Sequence, residues 1–151
     1  MQLINSELRI SGYASLFGQP DLSGDVVQRG AFAASLLGLS GHLPMLFGHE
    51  TAEPIGVWDR IFEDAAGLFV SGHMIGGNAR SDRIIRLVRE GAVSGLSIGY
   101  RAKRSSRQGA GRSLTELDLW EVSVVAFPML RAARITQIDD LELSPQQRKL
   151  A

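Results

Sequence analysis

The chain has 151 residues, sixteen of them basic and sixteen acidic, and no cysteine. That length suits one domain able to bury a core without staples, and cancelled charge argues against nucleic acid or an anionic membrane as the main partner. The missing thiols exclude disulfides, thiolate zinc sites and cysteine nucleophiles. Near the N-terminus Asn5, Glu7 and Arg9 interrupt the aliphatics, and no apolar run approaches the ~20 residues of a membrane span. A soluble cytosolic protein is expected, with a protein or a small molecule as its partner.

Leu8, Ile10, Gly12 and Ala14 alternate with Arg9, Ser11 and Tyr13, which predicts an opening strand with one face buried. Residues 18–30, with Pro20, Asp21, Ser23, Gly24 and Asp25, predict a loop, and residues 31–37 a short helix. Residues 55–62 and 68–74 read as an antiparallel hairpin. Asn78 or Ser81 caps a helix in which Ile84, Leu87 and Val88 share one face, with Arg83, Arg86 and Arg89 on the other and Gly91 ending it. With Arg80, those arginines read as a solvated face, the alternatives being contact with an acidic scaffold or nucleic acid. Two more strands, 95–102 and 114–127, flank an exposed connector at 103–113. Residues 1–138 form the expected domain, and 139–151, with Pro145, Gln146 and Gln147, a weakly structured tail.

Chemistry concentrates in three segments. In Ser94-Gly95-Leu96-Ser97-Ile98-Gly99-Tyr100 a strand puts Gly95, Ser97 and Gly99 on one face. Glycine weakens a strand and usually marks a close approach by backbone or ligand, so Ser97 is either a reacting position or an incidental serine at a tight corner. A reacting serine needs a base. His49, in Leu46-Phe47-Gly48-His49-Glu50, stands at the polar end of an apolar run, whereas His42 falls in a Ser-Gly-rich loop and His73 suits a satisfied strand histidine. Alternation through Leu117-Asp118-Leu119-Trp120-Glu121-Val122-Ser123-Val124-Val125 places Glu121 and Ser123 on the face of Leu117, Leu119 and Val125. A partly buried Glu121 needs a partner, either a histidine N–H whose tautomer it would fix, or Arg101 or Arg131. Ser123 is a rival nucleophile, with less room around it than Ser97. His49-Glu50-Thr51-Ala52-Glu53 is superficially similar to a zinc helix but lacks a second histidine and runs into Pro54, so neither metal nor cofactor is expected.

Four ordered blocks carry a resemblance: Asp21-Leu22-Ser23-Gly24-Asp25-Val26-Val27-Gln28-Arg29-Gly30-Ala31-Phe32; Leu46-Phe47-Gly48-His49 with Pro54-Ile55-Gly56; Gly95-Leu96-Ser97-Ile98-Gly99-Tyr100; and Trp120-Glu121-Val122-Ser123-Val124-Val125 with Pro128. Across most of its length the chain resembles the prohead serine proteases of tailed bacteriophages, capsid-maturation enzymes related in fold to herpesvirus assemblins. The resemblance implies an α+β fold, a mostly antiparallel β-barrel of herpesvirus-protease type with peripheral helices. Ser97 would match the nucleophile, His49 the base and Glu121 the third member, where assemblins use a second histidine. Met129-Leu130-Arg131 stands where the family often has a small polar segment, and a backbone N–H near Met129 is the expected oxyanion donor; Gly95 and Gly99 are expected to line the substrate cleft. The implied activity is serine endopeptidase cleavage of scaffold or capsid-precursor segments, and of the protease's own termini. It would act inside an immature capsid in the host cytoplasm, as a homodimer or an assembly-dependent oligomer. The source would be a phage, a prophage or a domesticated particle such as a gene transfer agent. The rival reading is a catalytically silent scaffold or shell-assembly protein of the same fold.

Overall fold

A computed structural model describes residues 7–39 and 42–141. Its elements run β1 (Leu8–Leu16), β2 (Val26–Val27), α1 (Ala33–Gly38), β3 (Leu43–Phe47), β4 (Gly56–Glu63), β5 (Gly67–Met74), α2 (Ala79–Arg89), β6 (Gly95–Gln108), β7 (Gly111–Val125) and β8 (Ile135–Asp140). Period-two alternation places Leu8, Ile10 and Ala14 of β1 in the core. The β4–β5 hairpin forms where expected, and Asp64 closes it by accepting the Ala66 and Gly67 N–H groups at 2.8 and 3.1 Å.

Helix α2 begins on Asn78, whose side chain accepts the Ser81 N–H at 2.8 Å. It ends at Gly91 (φ 80°), with Ala92 N–H on the Leu87 carbonyl and Gly91 N–H on that of Val88, the paired bonds of a Schellman cap. Its buried stripe is Ser81, Ile84, Ile85 and Val88. Leu87, expected on that stripe, is 42% exposed, because i, i+3, i+4, i+7 spacing from Ser81 selects Ile85 instead. Arg80 reaches Glu50 at 3.1 Å and Arg89 reaches Asp140 at 2.5 Å, exposed pairs worth little stability. No helix among the described residues is long and apolar enough to cross a membrane.

The strands form one mixed eight-stranded sheet in the order β2-β7-β3-β4-β5-β1-β8, with β6 on the remaining edge of β7. The α+β, strand-dominated architecture with peripheral helices is the expected one. Two features differ from an antiparallel barrel. Both β2 and β3 run parallel to β7, at Val26↔Ser113 and at Met45↔Val122. The ladder also does not close, although Gly95 bridges Arg134 and the Leu96 N–H reaches the Ala133 carbonyl at 2.9 Å, drawing the start of β6 toward β8.

Residues 103–113 are chiefly strand rather than connector: β6 runs to Gln108, turns through Gly109 (φ 56°) and Ala110, and returns as β7. Much of this ribbon's tip is solvated, so apolar alternation does not announce it. Asp139 and Asp140, at the head of the expected tail, are the last residues of β8 and pair with Arg9 and Leu8; residues 142–151 lie outside the described residues.

The ribbon is anchored by Asp25, buried in the loop after β1. It accepts the Arg112 backbone N–H at 3.0 Å and the guanidinium at 2.9 Å. The Arg112 guanidinium holds this carboxyl below its ordinary value. Because the folded value is depressed, the stabilisation is present above the unfolded pKa of about 3.9 and is lost as pH falls through the folded value. Asp25→Asn is therefore expected to destabilise by about 1.5–3 kcal/mol near neutrality. Urea titrations should show that deficit shrinking below about pH 4.

Candidate active site

β3 ends at Phe47, and the chain reverses through Gly48 and His49, both at positive φ (61° and 63°), with Glu50 N–H donating to the Phe47 carbonyl at 3.1 Å. Two left-handed residues inside such a bonded pair are the pattern of a type I′ turn. His49 is the sole non-glycine residue at positive φ among the described residues. That conformation costs about 1–2 kcal/mol and persists where the surroundings impose it. Here the Gly48 N–H is held by the Val124 carbonyl at 3.0 Å, and the His49 N–H donates to Ser123 Oγ at 2.9 Å.

The imidazole Nδ1 of His49 is hydrogen-bonded to Glu121 Oε1, and the other carboxylate oxygen accepts from Ser123 Oγ at 2.9 Å. Glu121 is buried while the imidazole is nearly half exposed. Of the two partners open to Glu121 on sequence grounds, the histidine is the one it meets; among the described residues neither Arg101 nor Arg131 forms an ion pair with it. A carboxylate on the Nδ1–H side leaves Nε2 as the acceptor nitrogen.

A break in strand phase puts Glu121 on this face. Gly99 pairs with Glu121 but Tyr100 pairs with Leu119, so Trp120 is the extra residue of a β-bulge. Before the bulge Leu117 and Leu119 point into the core; after it Val122 and Val124 do, each fully buried, and Glu121 and Ser123 turn to the opposite face. Uninterrupted alternation, which groups Glu121 with Leu117 and Leu119, fails at this bulge.

Ser97 lies directly opposite Ser123 across the β6–β7 ladder, on the same face. Ser97 is buried, with 6% of its surface exposed. Its hydroxyl makes no hydrogen bond among the described residues, and since no fully buried side-chain polar atom among them lacks a partner, Oγ keeps a small exposed area. Ser97 lines a cavity of about 110 Å3 with Asp21, Tyr100, Met129 and Leu130. His49 stands outside that lining and is not hydrogen-bonded to Ser97. Ser123 is fully buried and directs its proton to Glu121, which leaves it no access to a substrate.

The two glycines beside Ser97 do not line this cavity. A Cβ at Gly95 would fall 2.7 Å from the Pro128 ring, so Gly95 lets the 126–130 segment fold back toward the start of β6. Met129 thereby lies beside the Ser97 cavity, its carbonyl accepting the Leu22 N–H at 2.9 Å. Neither the Met129 nor the Leu130 N–H donates to a protein acceptor among the described residues. A Cβ at Gly99 would fall 2.3 Å from Glu121 Oε1, so Gly99 vacates the space this carboxylate fills. Gly99→Ala is expected to displace the carboxylate and remove the downfield Nδ1–H proton resonance of His49. Overpacking should cost only about 1–3 kcal/mol, because the obstructing atoms belong to side chains.

Sequence reasoning missed the Ser123 bridge and the Asp25–Arg112 anchor. The signal for the second was present in the Asp-rich turn, where Asp21 Oδ1 accepts the Ser23 and Asp25 N–H groups at 2.8 and 3.0 Å. His73, as expected of a satisfied strand histidine, bonds Asp59 at 3.2 Å. Among the described residues no three His, Asp or Glu side chains are grouped as metal ligands; Glu50 and Glu53 turn to Arg80.

The chain is 32% identical over 135 residues to the prohead protease of Enterobacteria phage HK97, spanning 87% of this chain and 60% of that protein's length. Among solved structures it matches Kaposi's sarcoma-associated herpesvirus protease bound to a hexapeptide phosphonate inhibitor, with a TM-score of 0.63 and 17% identity over 89% of this chain and 66% of the other. The capsid assembly protease of bacteriophage T4 gives a TM-score of 0.63 at 12% identity, over 78% of this chain and 80% of the other. Residues 2–147 match the caudovirus prohead serine protease family, to which this chain belongs.

Proposed function

We propose that the protein is a serine endopeptidase that cleaves capsid-precursor or scaffold segments during maturation of a phage-like procapsid. Ser97 is the nucleophile, His49 its base, and Glu121 the group that orients the base. The observation carrying this reading is the buried Glu121 carboxylate on His49 Nδ1, with the Ser97 hydroxyl, unbonded among the described residues and lining a cavity, on the adjacent strand of the same face. Backbone strain of the kind His49 carries, at positive φ against a buried acid, collects at active sites, which favours the enzyme over the silent scaffold.

In the reaction His49 Nε2 takes the Ser97 Oγ proton as Oγ attacks the peptide carbonyl. Glu121 stabilises the resulting imidazolium. The proton passes to the leaving amine, the acyl-enzyme forms, and a water activated by the same histidine hydrolyses it. Ser97 and His49 close their hydrogen bond on binding substrate, as loosely arranged catalytic pairs do. The free N–H groups of Met129 and Leu130, beside the Ser97 cavity, are the candidate oxyanion donors, worth roughly 3–4 kcal/mol of barrier each.

The expected partners are the major capsid protein precursor or the scaffold, and a second copy of the chain or the assembling shell. The expected setting is the interior of the immature particle within the host. Co-expression with the capsid precursor of the same genome, followed by intact mass of both proteins, tests this. Shortened precursor with the wild-type chain supports it; precursor that stays full length, in cells where shells assemble, overturns it.

A further inference from the structure

Ser123 is fully buried, yet its hydroxyl is placed between the backbone of one candidate catalytic residue and the side chain of another. We propose that Ser123 is the positioning residue of this site: by accepting the His49 N–H and donating to Glu121 Oε2, it fixes the turn that carries the base and the rotamer of the acid. The inference rests on the reading of His49 as the base.

A hydroxyl performs both tasks at once because it offers one donor and two acceptor lone pairs. With Oε2 occupied by Ser123, Oε1 is the oxygen left for the imidazole, so the carboxylate cannot turn away. With its N–H held, His49 stays at φ 63° instead of relaxing to an ordinary backbone conformation. Ser123 is also the ladder partner of Leu46 on β3 and of Ser97 on β6, so it stands where the strands that deliver base, acid and nucleophile meet. At a fully buried position the space left by one oxygen is too small for a water, and Ser123→Ala strands both partners.

The test measures the rate at which an alkyl fluorophosphonate labels Ser97 in the full chain, together with the His49 Nδ1–H proton resonance, assigned by its loss in His49→Gln. Ser123→Ala is expected to slow labelling by on the order of 10- to 100-fold, the effect of one charge-assisted hydrogen bond, and to shift or broaden the resonance. Ser123→Thr, which keeps the hydroxyl, is expected to restore most of both. Ser81→Ala, at a buried serine of α2, serves as the control and should leave both at wild-type values. An unshifted His49 resonance in Ser123→Ala, or a slowing that merely follows the lost folded fraction in a thermal melt, overturns the proposal. If wild-type Ser97 is not labelled at all, the peptidase reading fails, and the resonance alone still decides whether Ser123 holds the pair.

Discussion

Ser97→Ala is expected to leave the capsid precursor at full length, a loss on the order of 10^6-fold in kcat if the catalytic groups act as a unit. The substitution removes the atom that would form the acyl-enzyme and little else. Ser97 Oγ makes no hydrogen bond among the described residues, and alanine fits its place on the strand, so stability should change by under about 1 kcal/mol. The same change at Ser123 orphans a backbone N–H and a carboxylate oxygen. The pair of alanine variants thus separates a residue that performs chemistry from one that holds others in place. Undiminished cleavage by folded Ser97→Ala would remove Ser97 from the reaction.

Glu121→Gln carries the second largest expected effect, a fall on the order of 10^4-fold in kcat. The size and packing of the side chain are kept, but the amide has an N–H2 group where the carboxylate has an acceptor. Turned toward His49, that group needs a lone pair on Nδ1, which forces the proton onto Nε2 and removes the base. Turned toward Ser123, it meets a hydroxyl that already accepts the His49 N–H, and the serine proton loses its acceptor. Both arrangements cost, and neither alters the cavity beside Ser97. The drop should fall on kcat with KM little changed, measured on a peptide spanning the cleaved precursor bond. Equal losses in binding and turnover would instead point to a collapsed site.

Much of this arrangement can be read from local chemistry. Asn78 and Gly91 mark the ends of α2 because capping depends on a few neighbouring atoms. The β4–β5 hairpin and the opening strand follow from alternation, and the lone serine among glycines draws attention to Ser97. The remainder is non-local. A bulge at Trp120 reverses the phase of β7, and the reversal is set by pairing with β6 rather than by any residue in that strand. Parallel pairing of β2 and β3 with β7 joins segments far apart in sequence, and alternation carries no information about direction. The ribbon tip at 103–113 is exposed and polar, so its strands leave no apolar period. The roles of Gly95 and Gly99 are steric and emerge only once Pro128 and Glu121 are in place.

Membership of the prohead protease family and a fold like that of herpesvirus protease support the proposed class of activity; the proposed site residues draw their support from the His49–Glu121 bond and the β6–β7 pairing. The most direct measurement is to treat the protein with a fluorophosphonate, at the concentration where it cleaves its precursor, and to map the adduct by peptide mass spectrometry. A single adduct on Ser97, absent from His49→Ala, is the predicted result. An adduct on Ser123 or on any other residue, or labelling that persists unchanged in His49→Ala, would contradict the assignment of Ser97 as a nucleophile activated by His49.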